Sequence, residues 1–396
     1  MKKIILSLYL VLISSGYCAY LKNVPQVLTQ PNGKIIDVFA TGDEYYNWLH
    51  DETNYTIVQD HSNGYYVYAK LENNELVPTK YIVGATNPQN TELEPGTNID
   101  QAQVQQIRID ANLNNIGLSQ NIQFKQYQEF YYITKGLLNN IVIFISFIGQ
   151  DGWSETLEDY ERLYNSPNEW SMYNYYQENS NNQLEIKSHF FPRPQNGKLI
   201  SYVDPNPIDY YFEYDSITNP IGYQSGERWH RRQALMKSAI DFVKNEIIDS
   251  GIDIDLNSDN YIDAISFVVN NTKYWGGAFW PHVAGMSSTN TSIAGKMAYV
   301  YSLQSYLDWR LSVFLHEMGH QLGAPDLYYV LGPWDIMSIS RLAGHFTTHV
   351  KHKYFNWFEN IPIIDRNGTY TLLPPYLIHL SLAIELIHLI HPKNIF

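Results

Sequence analysis

Short apolar runs alternate with turn residues between positions 20 and 85, and this pattern predicts a small unit of β-strands joined by hairpins. Asn63-Gly64 is a candidate tight turn within it. The predicted strands cover residues 34–40, 56–59, 65–70 and 81–84. From 85 to 122 the composition shifts to Asn, Gln, Thr and Pro, which predicts a linker and an exposed cleavage region.

Two continuous apolar runs, 141–148 and 264–269, predict buried strands of a second and larger domain. Apolar residues spaced three and four apart over 307–322 mark one buried helix face, and Gly323 is placed to end that helix. Further helices are predicted over 159–164, 171–178 and 227–248. Strands and helices in this mixture, with no visible repeat, predict an α+β fold.

The first residues resemble an export signal, because Lys2 and Lys3 precede a short apolar run at 4–13 and small residues at 14–16. We therefore expect residues 1–19 to be a signal peptide and the protein to be secreted. The apolar stretch 376–390 is interrupted by charged and histidine side chains, so we expect it to pack rather than to insert stably in a membrane.

The chain carries 26 Lys and Arg against 40 Asp and Glu, a net charge of -14, which repels phosphate backbones. Nucleic acid is therefore not an expected partner. The single cysteine, Cys18, lies at the predicted signal cleavage region, so the exported chain has no disulfide to give it rigidity. Bound metal ions are the usual substitute.

His316, Glu317 and His320 form the pattern H-E-x-x-H on the predicted 307–322 helix. Histidines four residues apart lie on one helical face, so both imidazoles can reach one Zn²⁺ ion. Glu317 then lies beside them, where a carboxylate can take a proton from a water molecule that the ion activates. The motif predicts zinc-dependent hydrolysis of peptide bonds with Glu317 as the general base.

The third zinc ligand is expected from the residues that follow. Gly323 allows the chain to leave the helix sharply, and this turn brings Asp326 back toward the metal. Asp326 could instead cap a turn or bind a structural cation, in which case Tyr328 or Asp335 could be the ligand. Met337 lies in a compact turn at 332–338 and is expected to pack beneath the metal without binding it.

A second cation site is suggested by oxygen-bearing side chains at alternate positions of the 255–263 loop. This spacing is typical of structural calcium loops, with Asn260 at the position where a left-handed backbone is needed. The alternative is a solvated acidic turn between helix and strand. The expected calcium ligands are Asp255, Asn257, Asp259 and Asp263.

The sequence resembles peptidase family M6, the secreted metallopeptidases of the immune inhibitor A group. The zinc stretch 316–328 and the turn 334–338 carry most of the resemblance. Other similar stretches are 42–48, 65–69, 171–176, 255–269 and 280–282. The resemblance implies a metzincin-like domain with a twisted sheet and a long active-site helix, preceded by a small β-rich pro-domain.

It also implies a zymogen with a signal peptide at 1–19, a pro-region at 20–122 and a catalytic domain at 123–396. Zinc would be held by His316, His320 and Asp326, and the pro-region would inhibit by occupying the cleft. Inhibition by a pro-region cysteine is not expected, because Cys18 is the only cysteine. The ending from 377 onward departs from the family pattern, so a truncated catalytic domain is kept as an alternative.

A secreted, calcium-loaded binding or surface glycoprotein that keeps the peptidase shape without turnover is the alternative. The intact H-E-x-x-H pattern argues against it, since a binding module does not need a general base beside two ligand histidines. Protein or peptide substrates are the expected partners of the enzyme.

Overall fold

The structure is a computed structural model that describes residues 17–18, 21–42, 46–100, 102–104, 106–107, 132–224, 226–271, 279–286, 291–305, 311–327, 334–338 and 344–358. Its architecture is mixed α/β with several sheets, in agreement with the predicted mixed class. Most of the predicted signal segment and the whole 376–390 stretch lie outside these residues. Within them, no helix is both long and apolar enough to cross a membrane.

The amino-terminal sheet has six antiparallel strands in chain order. Alternating side chains of these strands bury a small apolar cluster that includes Leu28, Ile36 and Ile57. Its strands are β2 (Leu21–Thr29), β3 (Ile35–Gly42), β4 (Asn47–His50), β5 (Thr56–Gln59), β6 (Tyr66–Glu72) and β7 (Glu75–Ile82). The β-rich unit predicted from the sequence is therefore confirmed, with a turn at 60–64 before β6 in which Gly64 has a φ of 77°.

The linker prediction for 85–122 is wrong for its first part. Pro88 is buried in a short 3-10 helix, Leu93 packs against the sheet cluster, and the Gly96 amide donates to the Asn54 carbonyl. Asn and Thr side chains satisfy backbone groups locally, so a polar segment can fold against the sheet without large apolar residues. Residues 108–131 lie outside the described part of the chain.

The larger sheet has seven strands in the order β1-β12-β15-β11-β8-β10, and β9 also pairs with β8. The pairs among β8, β9, β10, β11 and β15 are parallel, whereas β12 runs antiparallel to β15. These strands are β1 (Tyr17–Cys18), β8 (Gly136–Phe147), β9 (Leu184–Phe191), β10 (Tyr202–Asp204), β11 (Ile265–Val269), β12 (His282–Gly285) and β15 (Val300–Ser305). A short hairpin, β13 (Ser292–Ile293) and β14 (Lys296–Met297), precedes β15.

Helices cover both faces of this sheet, which is why all five residues of β11 are buried. One face packs α1 (Leu157–Asn165), α2 (Met172–Asn179) and α4 (Leu311–Gln321), and the other packs α3 (Glu227–Asp249). A further helix, α5 (Thr348–Lys353), lies on the α4 side. The helices predicted at 159–164, 171–178 and 227–248 are confirmed, and residues 306–310, where the last predicted helix would begin, are not described.

Candidate metal centre

The helix α4 positions both histidines of the H-E-x-x-H pattern. Its apolar side chains pack against the sheet, and every residue of the helix is buried. His316 Nδ1 lies 2.8 Å from the Ile336 carbonyl oxygen, and His320 Nδ1 lies 2.7 Å from that of Ala324. A carbonyl oxygen only accepts, so each ring carries a proton on Nδ1, and Nε2 is the nitrogen that can face a metal ion.

Gly323 ends α4 as predicted, with a φ of 96° that favours glycine. After it, the Ala324 amide donates to the Gly319 carbonyl, and the chain turns back toward the histidines. Asp326 Oδ1 then lies 3.2 Å from His316 Nε2 and 3.3 Å from His320 Nε2. The structure therefore brings together the three side chains proposed as zinc ligands.

The spacing of these three atoms fits a zinc ion. The two Nε2 atoms are 3.0 Å apart, close to the roughly 3.3 Å that separates ligands around a tetrahedral ion with bonds of about 2.0–2.1 Å. Two imidazole lone pairs and a carboxylate this close repel one another unless a cation or a proton lies between them. Among the described residues, this is the one group of three His, Cys, Asp or Glu side chains that converges in this way.

The charges of the site also favour metal binding. Burial alone would raise the pKa of Asp326, but the two histidines lower it to about 2, so the carboxylate is ionised. Burial lowers the pKa of His320 below its ordinary value, although Asp326 opposes this. A neutral imidazole and an ionised carboxylate are the forms that bind metals.

Glu317 is completely buried on α4, directly after His316. The fully buried Tyr176 of α2 donates its hydroxyl to the Leu315 carbonyl at 2.7 Å and fixes this turn of the helix. The carboxylate of Glu317 is therefore shielded from bulk water, so its electrostatic interactions are stronger than at the surface.

The turn at 334–338 lies beneath the histidines, and Met337 is completely buried there. The Leu327 amide donates to the Met337 carbonyl at 2.8 Å, which ties the turn to the segment that carries Asp326. Asp335 accepts from the amides of Met337 and Thr347 at 2.8 and 2.6 Å. Asp335 therefore closes the turn and does not join the triad, whereas Tyr328, the other alternative ligand, is not described.

Gly319 was not singled out from the sequence, yet it packs closely against the turn beneath the histidines. A Cβ at this position would lie 2.7 Å from the Met337 sulfur and 3.2 Å from the Phe346 ring. Glycine inside a helix costs about 1 kcal/mol relative to alanine. A glycine within an otherwise apolar helix was therefore the sequence signal that could have revealed this close packing.

The acidic loop 255–263 has the left-handed backbone expected at Asn260, with a φ of 69°. Its three carboxylates, Asp255, Asp259 and Asp263, do not form a convergent group of the kind seen in the triad. Instead, Lys296 Nζ of β14 lies 2.6 Å from Asp255 Oδ2 and 3.3 Å from Asn260 Oδ1. Burial and the neighbouring carboxylates raise the pKa of Asp263 to about 7.

The comparisons with known proteins add no identification. No protein-family model matches the chain, and a search of curated proteins finds no match. The argument for function therefore rests on the residues and on the geometry of the metal centre.

Proposed function

We propose that this protein is a secreted zinc-dependent endopeptidase made as a zymogen, with the metzincin-like architecture that the resemblance to the immune inhibitor A group implies. The observation that carries the proposal is the convergence of His316 Nε2, His320 Nε2 and Asp326 Oδ1, with the buried Glu317 on the same helix as both histidines. A binding module has no need of this arrangement.

When bound, zinc supplies Lewis acidity, which brings the pKa of water to about 7 and polarises a peptide carbonyl. The chain supplies the remaining functions. His316, His320 and Asp326 hold the ion, their orientation fixed by the carbonyls of Ile336 and Ala324. Glu317 takes the proton of the attacking water and delivers it to the leaving amine.

The outer edge of β12 offers a binding surface for a peptide substrate. The backbone of Tyr17–Cys18 pairs with it antiparallel, with Tyr17 opposite Val283, and α4 packs against both strands. An exposed edge that accepts an added strand binds an extended peptide through main-chain hydrogen bonds. Tyr17–Cys18 belong to the expected signal peptide at 1–19, so its removal would open this edge to an extended peptide.

Glu317→Gln tests the mechanism, because glutamine keeps the shape of the side chain but cannot accept the proton. We expect casein hydrolysis to fall by about 10²–10⁴-fold while one zinc per chain stays bound. Glu185→Gln, at an exposed position of β9, is the matched control and should retain activity. Full hydrolysis by Glu317→Gln would refute the mechanism, and zinc without hydrolysis in the activated wild type would favour the non-catalytic alternative.

A further inference from the structure

A chain of buried side-chain hydrogen bonds crosses the larger sheet and ends at α4. Gln321 Nε2 donates to Ser302 Oγ at 3.0 Å, and Ser302 donates to Ser266 Oγ at 2.9 Å. Ser266 donates to Asn140 Oδ1 at 2.9 Å, and the Asn140 amide donates to Ser188 Oγ at 3.1 Å. We name these five residues, on β15, β11, β8, β9 and the end of α4, the polar ladder.

All members of the polar ladder are buried in an otherwise apolar region. Asn140 and Ser266 lie on the sheet face that packs α4, because their neighbours Val142 and Val268 belong to the core on that side. Every hydrogen bond runs in the same direction, so the hydroxyls of Ser302 and Ser266 each accept one hydrogen bond and donate another. Breaking one link leaves a buried polar group without a partner, which costs more than the hydrogen bond contributes.

Gln321 is the member that joins the sheet to the metal helix. Its Oε1 accepts from the Ile265 amide at 3.2 Å, a main-chain donor at the start of β11, while its Nε2 binds β15. The carboxamide thus spans two adjacent strands and fixes the last turn of α4. His320, one of the three proposed ligands, is the residue immediately before it.

We propose that Gln321 is a positioning residue of the zinc site: it fixes the end of α4 against β11 and β15 and thereby sets the distance of His320 Nε2 from His316 and Asp326. This inference rests on the proposed function. In this inference Gln321 is not a ligand itself and acts on the zinc site through the helix.

A purely structural role would predict the same consequences for any break in the polar ladder. Ser188 lies at the other end, where the Asn140 amide donates to it. Ser188→Ala breaks a buried link of the same kind without touching α4. It is therefore the matched control for Gln321→Leu, which removes the carboxamide but keeps a buried side chain of similar size.

The experiment measures three quantities in the full chain: the zinc dissociation constant by competition with a chelator, the thermal midpoint of the metal-free protein, and kcat and KM after activation. For Gln321→Leu we expect weaker zinc binding by about 10–100-fold, with kcat falling more than KM changes. For Ser188→Ala we expect a lower thermal midpoint with the zinc constant within about threefold of wild type.

Equal zinc constants for the two variants would overturn the inference. If Gln321→Leu does not fold, Ser302→Ala breaks the link to β15 while the Ile265 contact remains, and it must weaken zinc binding more than Ser188→Ala does. A wild-type chain that binds no zinc would refute the proposed function itself, and this result is distinct from zinc binding that Gln321 does not affect.

Discussion

Gly319 lies on α4 between His316 and His320, and its missing side chain makes room for Met337 and Phe346. Alanine would improve the helix propensity but would place a methyl group 2.7 Å from the Met337 sulfur. We expect Gly319→Ala to lower the free energy of unfolding by about 1–2 kcal/mol, since overpacking outweighs the propensity gain. Urea unfolding measures this.

The matched control is Gly152→Ala, because a Cβ at Gly152 meets no atom within 4 Å and the backbone there is not left-handed. It should leave stability unchanged or slightly raised. Equal stabilities of the two alanine variants would show that the contact with Met337 is not tight.

Lys351 is a buried lysine of α5, and burial lowers its pKa to about 8 although Glu178 and Asp335 oppose this. The unfolded chain binds this proton up to about pH 10.4, so between pH 8 and 10 the unfolded state holds more protons and stability rises with pH. The free-energy cost of burying the charged Lys351 ammonium group is fully present below pH 8. We expect Lys351→Met to stabilise the protein at pH 7 and much less at pH 9.5.

The quantity to measure is the difference in unfolding free energy between variant and wild type at the two pH values. Lys353→Met, on the same helix but exposed, should give a difference that does not change with pH. A Lys351→Met effect that grew toward pH 9.5 would contradict the assigned burial cost.

At the scale of elements, local periodicity predicted the helices well. The 3–4 spacing placed α3 within two residues of its ends, and the residues of the triad could be named because they lie on one helix and its exit turn. The strand β9 was missed, although its buried and exposed residues alternate at a strand period from Leu184 to Phe190.

The register between strands could not be predicted, because it depends on pairing between distant segments. Ser266 lies opposite Ser302, and Asn140 opposite Ser188, only in the folded sheet. The polar ladder and the role of Gln321 were therefore beyond sequence reasoning, and so was the contact between Lys296 and the acidic loop.

Lys296 balances the charge of the acidic loop through Asp255, whose side chain is 1% exposed. Lys296→Met would leave this carboxylate buried without its counter-charge, and we expect a loss of about 1–3 kcal/mol in unfolding free energy. Calcium at this loop would compete with the ammonium group for Asp255, so it should stabilise the variant more than the wild type.

Thermal unfolding with and without calcium tests this expectation. Lys187→Met, at an exposed position of β9, controls for the loss of one positive charge. An equal calcium effect on wild type, Lys296→Met and Lys187→Met would exclude the loop as a calcium site.

At the scale of the whole molecule, the amino-terminal sheet contacts the larger domain through Val24 and His61. Val24 of β2 belongs to the apolar core that α4 shares, and His61 Nδ1 lies 2.8 Å from Asp215 Oδ2. These contacts hold the amino-terminal sheet against the larger domain, which the proposed inhibitory role requires. We expect limited proteolysis between the two sheets to raise casein hydrolysis, and activity that fell in step with the cleavage would contradict the zymogen proposal.

The central claim is that hydrolysis depends on one zinc ion at His316, His320 and Asp326. The most direct measurement is to strip the activated protein with a chelator, then follow casein hydrolysis while zinc is returned and counted. The account predicts that activity disappears with the metal and returns fully at one equivalent per chain. Activity that survives metal removal, or that does not return with zinc although zinc binds, would contradict it.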